Sequence, residues 1–518
     1  MLSTPVISHK TDFLQEFGVL FRDVQMSGIF SDSITFNDCI PKHSPAEILA
    51  KYNTEQEEAD FDLADFVLEN FDFPDFKPQH YESRLDRPIA DHIELLWEIL
   101  TREHLAESGS SLIPLPNPYI VPGGRFRGLY YWDSYFNMLG LEESGKIDLI
   151  ESMLENFSFL IGELGFIPNA NRTYYLGRSQ PPVFVLMIEI LSHHKGPQTW
   201  DRYLPYLEKE YLFWMNGHEL LSEENPAANR VVRLPDGTLL NRYWDNSDAP
   251  RPESYREDVE VGRLSERSSR EVYRHIRAAA ESGWDFSSRW FKNGMRMEHI
   301  HTTDILPIDL NCLLCHTEKV LIAHYADLPH KRELVETLSQ RMSARETAIR
   351  TLFWEKQAGF FVDYDWIEGK RRDVLTLAAL YPLFFSLASA QQAKKTAAKL
   401  EALFLKPGGF VTTLHESGQQ WDLPNGWAPL HWITVSGLSR YGFDELARTG
   451  CERWLRGNYL VYKKTGKMTE KYNMLDRLED AQGGEYPNQD GFGWTNGVFL
   501  KLSRFIREGT LSSQPRRW

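Results

Sequence analysis

The chain has 518 residues, 57 of them Lys or Arg and 73 Asp or Glu, for a net charge of −16. That acidic balance argues against a polyanion partner such as nucleic acid, which needs a basic footprint. With 42% hydrophobic and 13% aromatic residues the chain can bury a large core, and it suits a neutral small-molecule ligand.

Met1 to Leu20 carries Asp12 and Glu16 and no continuous apolar run, so it does not read as a secretory signal. Residues 1 to about 80 are polar and acidic, with apolar clusters at Phe13-Leu14 and from Phe61 to Phe76. They read as an N-terminal extension wrapped on a domain spanning 81–510. A helix is expected near Asp91, with Ile93, Leu96, Trp97 and Leu100 on one face. Ile147, Ile150, Leu154, Phe157 and Ile161 recur at helical spacing, as do Leu334, Leu338, Met342, Ile349 and Leu352, and Ala393, Ala397, Leu400 and Phe404.

One hairpin is predicted where Arg230 to Leu234 and Thr238 to Arg242 flank Pro235-Asp236-Gly237. The uncharged run from Val374 to Ala390 is short for a membrane span and contains Pro382. It reads as buried helix. Helix–loop–helix units without strand–helix alternation point to an all-α domain, a ring of helix pairs with functional loops at one end.

Four cysteines, Cys39, Cys312, Cys315 and Cys451, are too few and too scattered for a disulfide framework, so a reduced compartment is expected. Cys312 to His316 matches a haem-attachment pattern, but it sits in an apolar helical run and is set aside. His299 and His301 lack a third ligand and read as a solvated face. No metal or cofactor is expected.

The chemistry lies in long loops at 165–182, 244–258, 418–430 and 483–497, rich in Gly, Pro, Trp and Asn. Pro122-Gly123-Gly124-Arg125-Phe126 runs on to Tyr130-Tyr131-Trp132-Asp133. Asn169 to Gln180 holds Asn169, Arg178, Ser179 and Gln180. Arg251-Pro252-Glu253 follows, then Gly283-Trp284-Asp285, Gln420-Trp421-Asp422, Glu470-Lys471-Tyr472 and Gly484-Glu485-Tyr486. Aromatic faces pack on apolar ring surfaces, and Arg and carboxylate groups bond hydroxyls. Recurrence of a Trp or Tyr beside a carboxylate in five loops describes one pocket for a polyhydroxylated ring. Glycoside hydrolysis needs a protonated carboxyl as acid and a second carboxylate as base or nucleophile. Asp285, beside Trp284 and Trp290, suits the acid. The residues alone do not separate it from Asp133, Glu253, Asp422, Glu470 or Glu485.

Three stretches make a resemblance specific. Residues 122–135, the run Gln420 to Pro429, and Gly483 to Gly497 resemble signatures of the trehalases of glycoside hydrolase family 37, in collinear order from about residue 25 to 500. The resemblance implies an (α/α)6 barrel and inverting hydrolysis of α,α-trehalose to two glucoses. It implies Asp285 as general acid and Glu470 as general base. Sugar contacts would fall to Arg125, Trp132, Asp133, Asn169, Arg178, Ser179, Gln180, Arg251, Pro252, Glu253, Gly283 and Glu485. Without a signal peptide the chain resembles the cytoplasmic branch, and a monomer is expected. Two positions depart from the pattern: Gly128 stands where the family has Glu, and the glycine run before Glu485 is cut to Gly483-Gly484.

Overall fold

The computed structural model describes residues 13–73, 84–103, 110–292 and 294–509. The first twelve residues, Phe76 and the basic end Pro515 to Arg517 lie outside them.

Six largely buried helices form an inner ring: Tyr131–Glu143, Phe184–Lys195, Ile308–Tyr325, the short Tyr381–Phe384, Ala428–Arg440 and Gly493–Glu508. An all-round apolar helix has no solvent face to offer and must be enclosed. Six helices with a polar outer face enclose them: Ile89–Leu100, Ile147–Leu164, Gln198–Trp214, Arg332–Thr351, Ala390–Leu403 and Asp444–Thr465. The ring closes. Gly493–Glu508 packs on Tyr131–Glu143, and each inner helix but one pair meets its neighbour directly. That remaining pair is joined by a 2.8 Å bond between His316 Nε2 and Glu189 Oε1. The chain is therefore a helical barrel of the expected class, with its core between the two rings.

Closure is tightest where glycines face each other. A Cβ on Gly497 would stand 2.0 Å from the Phe136 carbonyl oxygen, and one on Gly140 would stand 2.4 Å from Gly497 Cα. Small residues here let two backbones approach to within side-chain distance.

The predicted hairpin forms as Val231–Arg233 paired with Leu239–Asn241, and Ala227–Ala228 adds a third short strand. Between the barrel helices Gln198–Trp214 and Ile308–Tyr325 the chain also inserts Tyr255–Leu264 and Ser269–Glu281. Both inserted helices lead to or from site loops.

Two expectations need correction. Val374 to Ala390 is buried, but it forms only a 3-10 turn, Leu377–Leu380, and one α turn, Tyr381–Phe384. Pro382 lacks an N–H and is tolerated only in the first turn. Ser386 then takes φ 57° and ends the element. His301 is not solvated: it is buried, with Nε2 3.6 Å from Asp365.

Residues 13–73 fold into four helices around a satellite core of Phe13, Phe17, Phe21, Phe36, Phe66 and Phe71. Tyr255 of the inserted helix completes that cluster, edge-on to Phe21 at 5.4 Å. Among the described residues no helix is long and apolar enough to cross a membrane.

Gly497→Ala should destabilise the barrel by about 2–3 kcal/mol, the upper part of the usual overpacking range. Gly162→Ala, whose Cβ would meet nothing closer than 3.9 Å, should be neutral or gain about 0.5–1 kcal/mol from helix propensity. Urea denaturation of the two variants compares them directly. Equal stabilities would refute the close-contact account.

Candidate active site

One cleft opens at the end of the barrel where the inner helices begin. It gathers Arg125, Trp132, Asp133, Asn169, Arg178, Gln180, Arg251, Glu253, Gly283, Asp285, Glu470 and Glu485. Of the sequence-derived site residues only Ser179 and Pro252 do not line it. The Ser179 hydroxyl donates to the Ile167 carbonyl at 2.6 Å, and its N–H donates to Glu281 at 2.8 Å. Pro252 turns its carbonyl away, to accept from the Gln25 and Asn37 side-chain amides.

Local structure explains the placement. Tyr131–Glu143 has no side-chain N-cap of its own, and the first N–H groups of a helix need acceptors. The 169–180 loop supplies them: Asn169 O accepts from Tyr131 N at 3.1 Å, and Gln180 Oε1 accepts from Trp132 N at 3.0 Å. Capping this helix therefore sets Asp133, in its first turn, beside Asn169 and Gln180. Gly283 has φ +74°, and a Cβ there would lie 2.7 Å from the Trp132 indole. Only glycine lets the segment leading to Asp285 pass over that ring.

The arginines are held by carboxylates. Arg178 Nη2 donates to Glu253 at 2.5 Å, and its Nε donates to Asn169 Oδ1 at 3.1 Å. Arg251 Nη2 donates to Asp258 at 2.7 Å and to Glu485 at 3.0 Å. The Ser254 hydroxyl reaches the other oxygen of Glu485 at 3.0 Å. Arg125 lies over the Tyr486 ring, 4.8 Å from its centre, with Asp32 3.9 Å away. Its Nε is buried and meets no acceptor among the described residues.

Aromatic rings floor the cleft. Trp421 stacks on Trp427 at 4.0 Å, with planes 4° apart, and Trp132 and Trp494 flank Trp421. This dry surround raises the Asp285 carboxyl to about 7, chiefly by burial. Arg251 pulls against the rise and Glu485 adds to it. Asp133 is raised well above the usual carboxylate range, again by burial first, then by the neighbouring Glu470 and Asp285. Glu470 has different neighbours: Tyr486 OH donates to Oε1 at 2.8 Å, and Lys471 Nζ donates to Oε2 at 3.1 Å.

Asp422, an open candidate in the sequence, is spent on structure. Its two oxygens accept from the Ser287, Ser288 and Thr413 hydroxyls, the Ser288 N–H and the Ser417 hydroxyl. Sequence reasoning missed Asp32, Ser33 and Ile34, which the N-terminal helices bring to the cleft wall. Nothing in their local pattern marks them. It also passed over Tyr486 and Lys471, which flank residues it did single out. Gly128 is required as the chain now packs, because a Cβ there would lie 2.8 Å from Asn171 Oδ1, the acceptor of the Leu129 N–H.

A closed ring of paired helices around a cleft of carboxylates, arginines and indoles defines a glycoside hydrolase-like helical barrel. The trehalase family model matches residues 28–506, and the chain belongs to that family. It is similar to the periplasmic trehalase of Salmonella schwarzengrund, 47% identical over 491 residues, covering 94% of this chain and 86% of that protein. A putative periplasmic trehalase of Salmonella typhi is 46% identical with the same coverage. Among solved structures it is similar to the neutral trehalase of Saccharomyces cerevisiae, with TM-score 0.61 and 25% identity over 82% of this chain and 81% of that one. A mannosylglycerate hydrolase from Thermus thermophilus, 16% identical with TM-score 0.52 over 80% of this chain and 99% of that one, shares the fold.

The expected cytoplasmic setting does not stand, because relatives at 46–47% identity are named periplasmic. The reduced compartment expected from the cysteines loses its support as well. All four cysteines are free and buried, and burial pushes the Cys312 and Cys315 thiols up, away from the reactive thiolate. Buried thiols out of reach of oxidants carry no information about compartment.

Arg178→Lys keeps the charge but loses the fork that serves Asn169 and Glu253 together. Losing one charge-assisted bond of about 1.5–3 kcal/mol should weaken sugar binding roughly 10- to 150-fold. Calorimetric titration with trehalose, in a background slowed at Asp285, reads this. Unchanged affinity would take Arg178 out of the binding site.

Proposed function

We propose that the chain hydrolyses α,α-trehalose to two glucose molecules with inversion at one anomeric carbon, Asp285 acting as general acid and Glu470 as general base. The observation that carries the reading is the contrast between the two carboxyls. Asp285 sits in a dry indole-walled recess and stays protonated to about pH 7. Glu470 has an ammonium on one oxygen and a phenol on the other. A protonated carboxyl and a second carboxylate held by donors, both lining one cleft, supply the acid and the base that inversion requires.

In this reading Asp285 gives its proton to the glycosidic oxygen as the C1–O bond breaks. Glu470 takes a proton from a water that attacks C1 from the opposite face. One glucose leaves as the β anomer and the other keeps its α configuration. Arg125, Trp132, Asp133, Asn169, Arg178, Gln180, Arg251, Glu253, Gly283 and Glu485 are proposed to contact sugar directly. Ser179 and Pro252 are proposed to act by holding neighbouring loops. Residues 1–80 are taken as an extension on a catalytic domain of 81–510, and the chain as a monomer. The compartment printed for the relatives, the periplasm, is proposed for this protein as well.

Proton NMR of the first turnovers should show α- and β-glucose appearing in equal amounts, whereas retention would give α-glucose alone. Asp285→Asn and Glu470→Gln should each cut kcat by at least roughly a hundredfold, the low end for a lost acid or base.

Because burial raises the Asp285 carboxyl, the proton donor is present below about pH 7 and lost above it. The kcat/KM for trehalose should fall tenfold per pH unit on that alkaline side. A profile flat to pH 9 would remove Asp285 from the acid role.

A further inference from the structure

The loop carrying Asp285 is joined to the 420–422 loop residue by residue. Asp285 O accepts from Gln420 Nε2 at 2.5 Å, Phe286 O accepts from Trp421 N at 3.0 Å, and the Ser287 and Ser288 side chains donate to Asp422 at 2.8 Å. The far side of Gln420 points the other way. Its Oε1 accepts from Lys471 Nζ at 2.9 Å, and the same ammonium donates to Glu470 Oε2 at 3.1 Å. Lys471 is buried, with its side chain 1% exposed. Its ammonium lies 5.2 Å from the Trp427 ring centre and 5.0 Å from that of Tyr486.

Burying a lysine costs several kcal/mol unless the charge is paired and hydrogen-bonded. Here the pairing falls on the proposed base itself, while the second bond runs to the residue that grips the acid's backbone. Register also fixes the lysine. Lys471 faces Trp427 across the Asn425–Trp427 and Lys471–Asn473 strand pair, and Trp427 Nε1 donates to Gln420 O at 3.1 Å. Gly484 has no side chain where a Cβ would lie 2.7 Å from Gln420 Oε1, so the amide is left free to meet the ammonium.

We infer that Lys471 and Gln420 form a strut that sets the separation and facing of the acid and base carboxyls, with Lys471 as the positioning residue for Glu470. This rests on the acid and base reading above. Inversion needs a gap of roughly 6.5–9.5 Å between the two carboxyls, enough for one water. Neither loop alone defines that gap. The bonds from Asp285 O through Gln420 and Lys471 to Glu470 span it within the protein, and Tyr486 OH holds the remaining oxygen of Glu470. A drift of about 1 Å in such an arrangement can cost roughly a hundredfold.

The test uses the full-length enzyme with two substrates: trehalose, and α-glucosyl fluoride, whose fluoride leaves without a proton. Lys471→Met keeps the stem and removes the ammonium. It should lower kcat on both substrates by roughly a hundredfold, with the trehalose KM within about threefold. Gln420→Met should lower kcat about tenfold on both, a smaller effect because Lys471 still grips Glu470. The double variant should be no slower than Lys471→Met alone, since both changes cut one strut.

A Lys471→Met enzyme within threefold of wild type would overturn the strut. So would a rise in KM with kcat held, and so would losses that multiply in the double variant. If Lys471→Met loses its helical circular dichroism, Gln420→Met decides alone, and unchanged kcat refutes the proposal. Asp285→Asn is the separate control. If the acid reading holds, it fails on trehalose but still turns over the fluoride. Retained trehalose hydrolysis would sink that reading whatever the Lys471 variants do.

Discussion

The cleft depends on keeping charged groups dry and matched around a ligand that brings no charge. Arg178 and Arg251 are buried guanidinium groups whose forks are largely taken up by Glu253, Asp245, Asp258 and Glu485. An unpaired buried charge costs several kcal/mol, so each arginine holds its carboxylates wherever the chain brings them. Arg178 ties the 169–180 loop to the 251–254 turn through Asn169 and Glu253. Arg251 ties that turn to Glu485, over 230 residues away. The site loops are long and irregular, and these pairs fix where they stand.

The same dryness divides labour among chemically similar groups. Desolvation acts on every buried carboxyl, and the outcome depends on the compensation nearby. Asp285 has aromatic surroundings and stays protonated to about 7. Glu253 is buried as well, yet Arg178, Arg251 and Arg277 hold it below the usual carboxylate range. Asp422 disperses its charge over hydroxyls and an N–H and welds two loops. Loops that share one composition thus yield a carboxyl held protonated, an arginine anchor and a structural brace.

Much of this was legible in the chain. Helical periodicity located the outer helices, because an outer helix alternates apolar and polar faces. The inner ring was harder to read. Ile308–Tyr325 and Tyr131–Glu143 are buried on all sides and show no stripe. The 374–390 run is uncharged throughout and so hid its break at Ser386. Loop composition located the cleft, since Trp, Arg and carboxylate seldom cluster without a ligand. It could not distinguish Asp422 from Asp285, because both follow a tryptophan and only tertiary partners separate them. Ser179 and Pro252 share a segment with true wall residues, and their departure from the wall is set by backbone direction. The compartment was misread from Met1 to Leu20, which did not read as a secretory signal, and from a cysteine count treated as a redox signal when burial had already removed those thiols from exchange.

Pro252 shows how a residue outside the wall can still govern it. Its carbonyl accepts from Asn37 Nδ2 at 2.7 Å and from Gln25 Nε2 at 3.4 Å. Both donors belong to the N-terminal satellite, which also sends the Ser33 hydroxyl to Glu257 at 2.7 Å. The turn that Pro252 opens carries Glu253, and Arg251 immediately precedes it. A proline at the first position of such a turn has no N–H to satisfy and a fixed φ, so its conformation needs little support. Its carbonyl is free to serve as a docking point, and two amides from the satellite use it. The phenylalanine cluster around Phe36 therefore does more than stabilise a satellite core. It places Asn37 and Ser33 against the base of the turn, and Asp32 beside Arg125 at the cleft. The satellite is continuous with the cleft wall: its packing is transmitted to the cleft-lining arginines through two side-chain amides and one carbonyl oxygen.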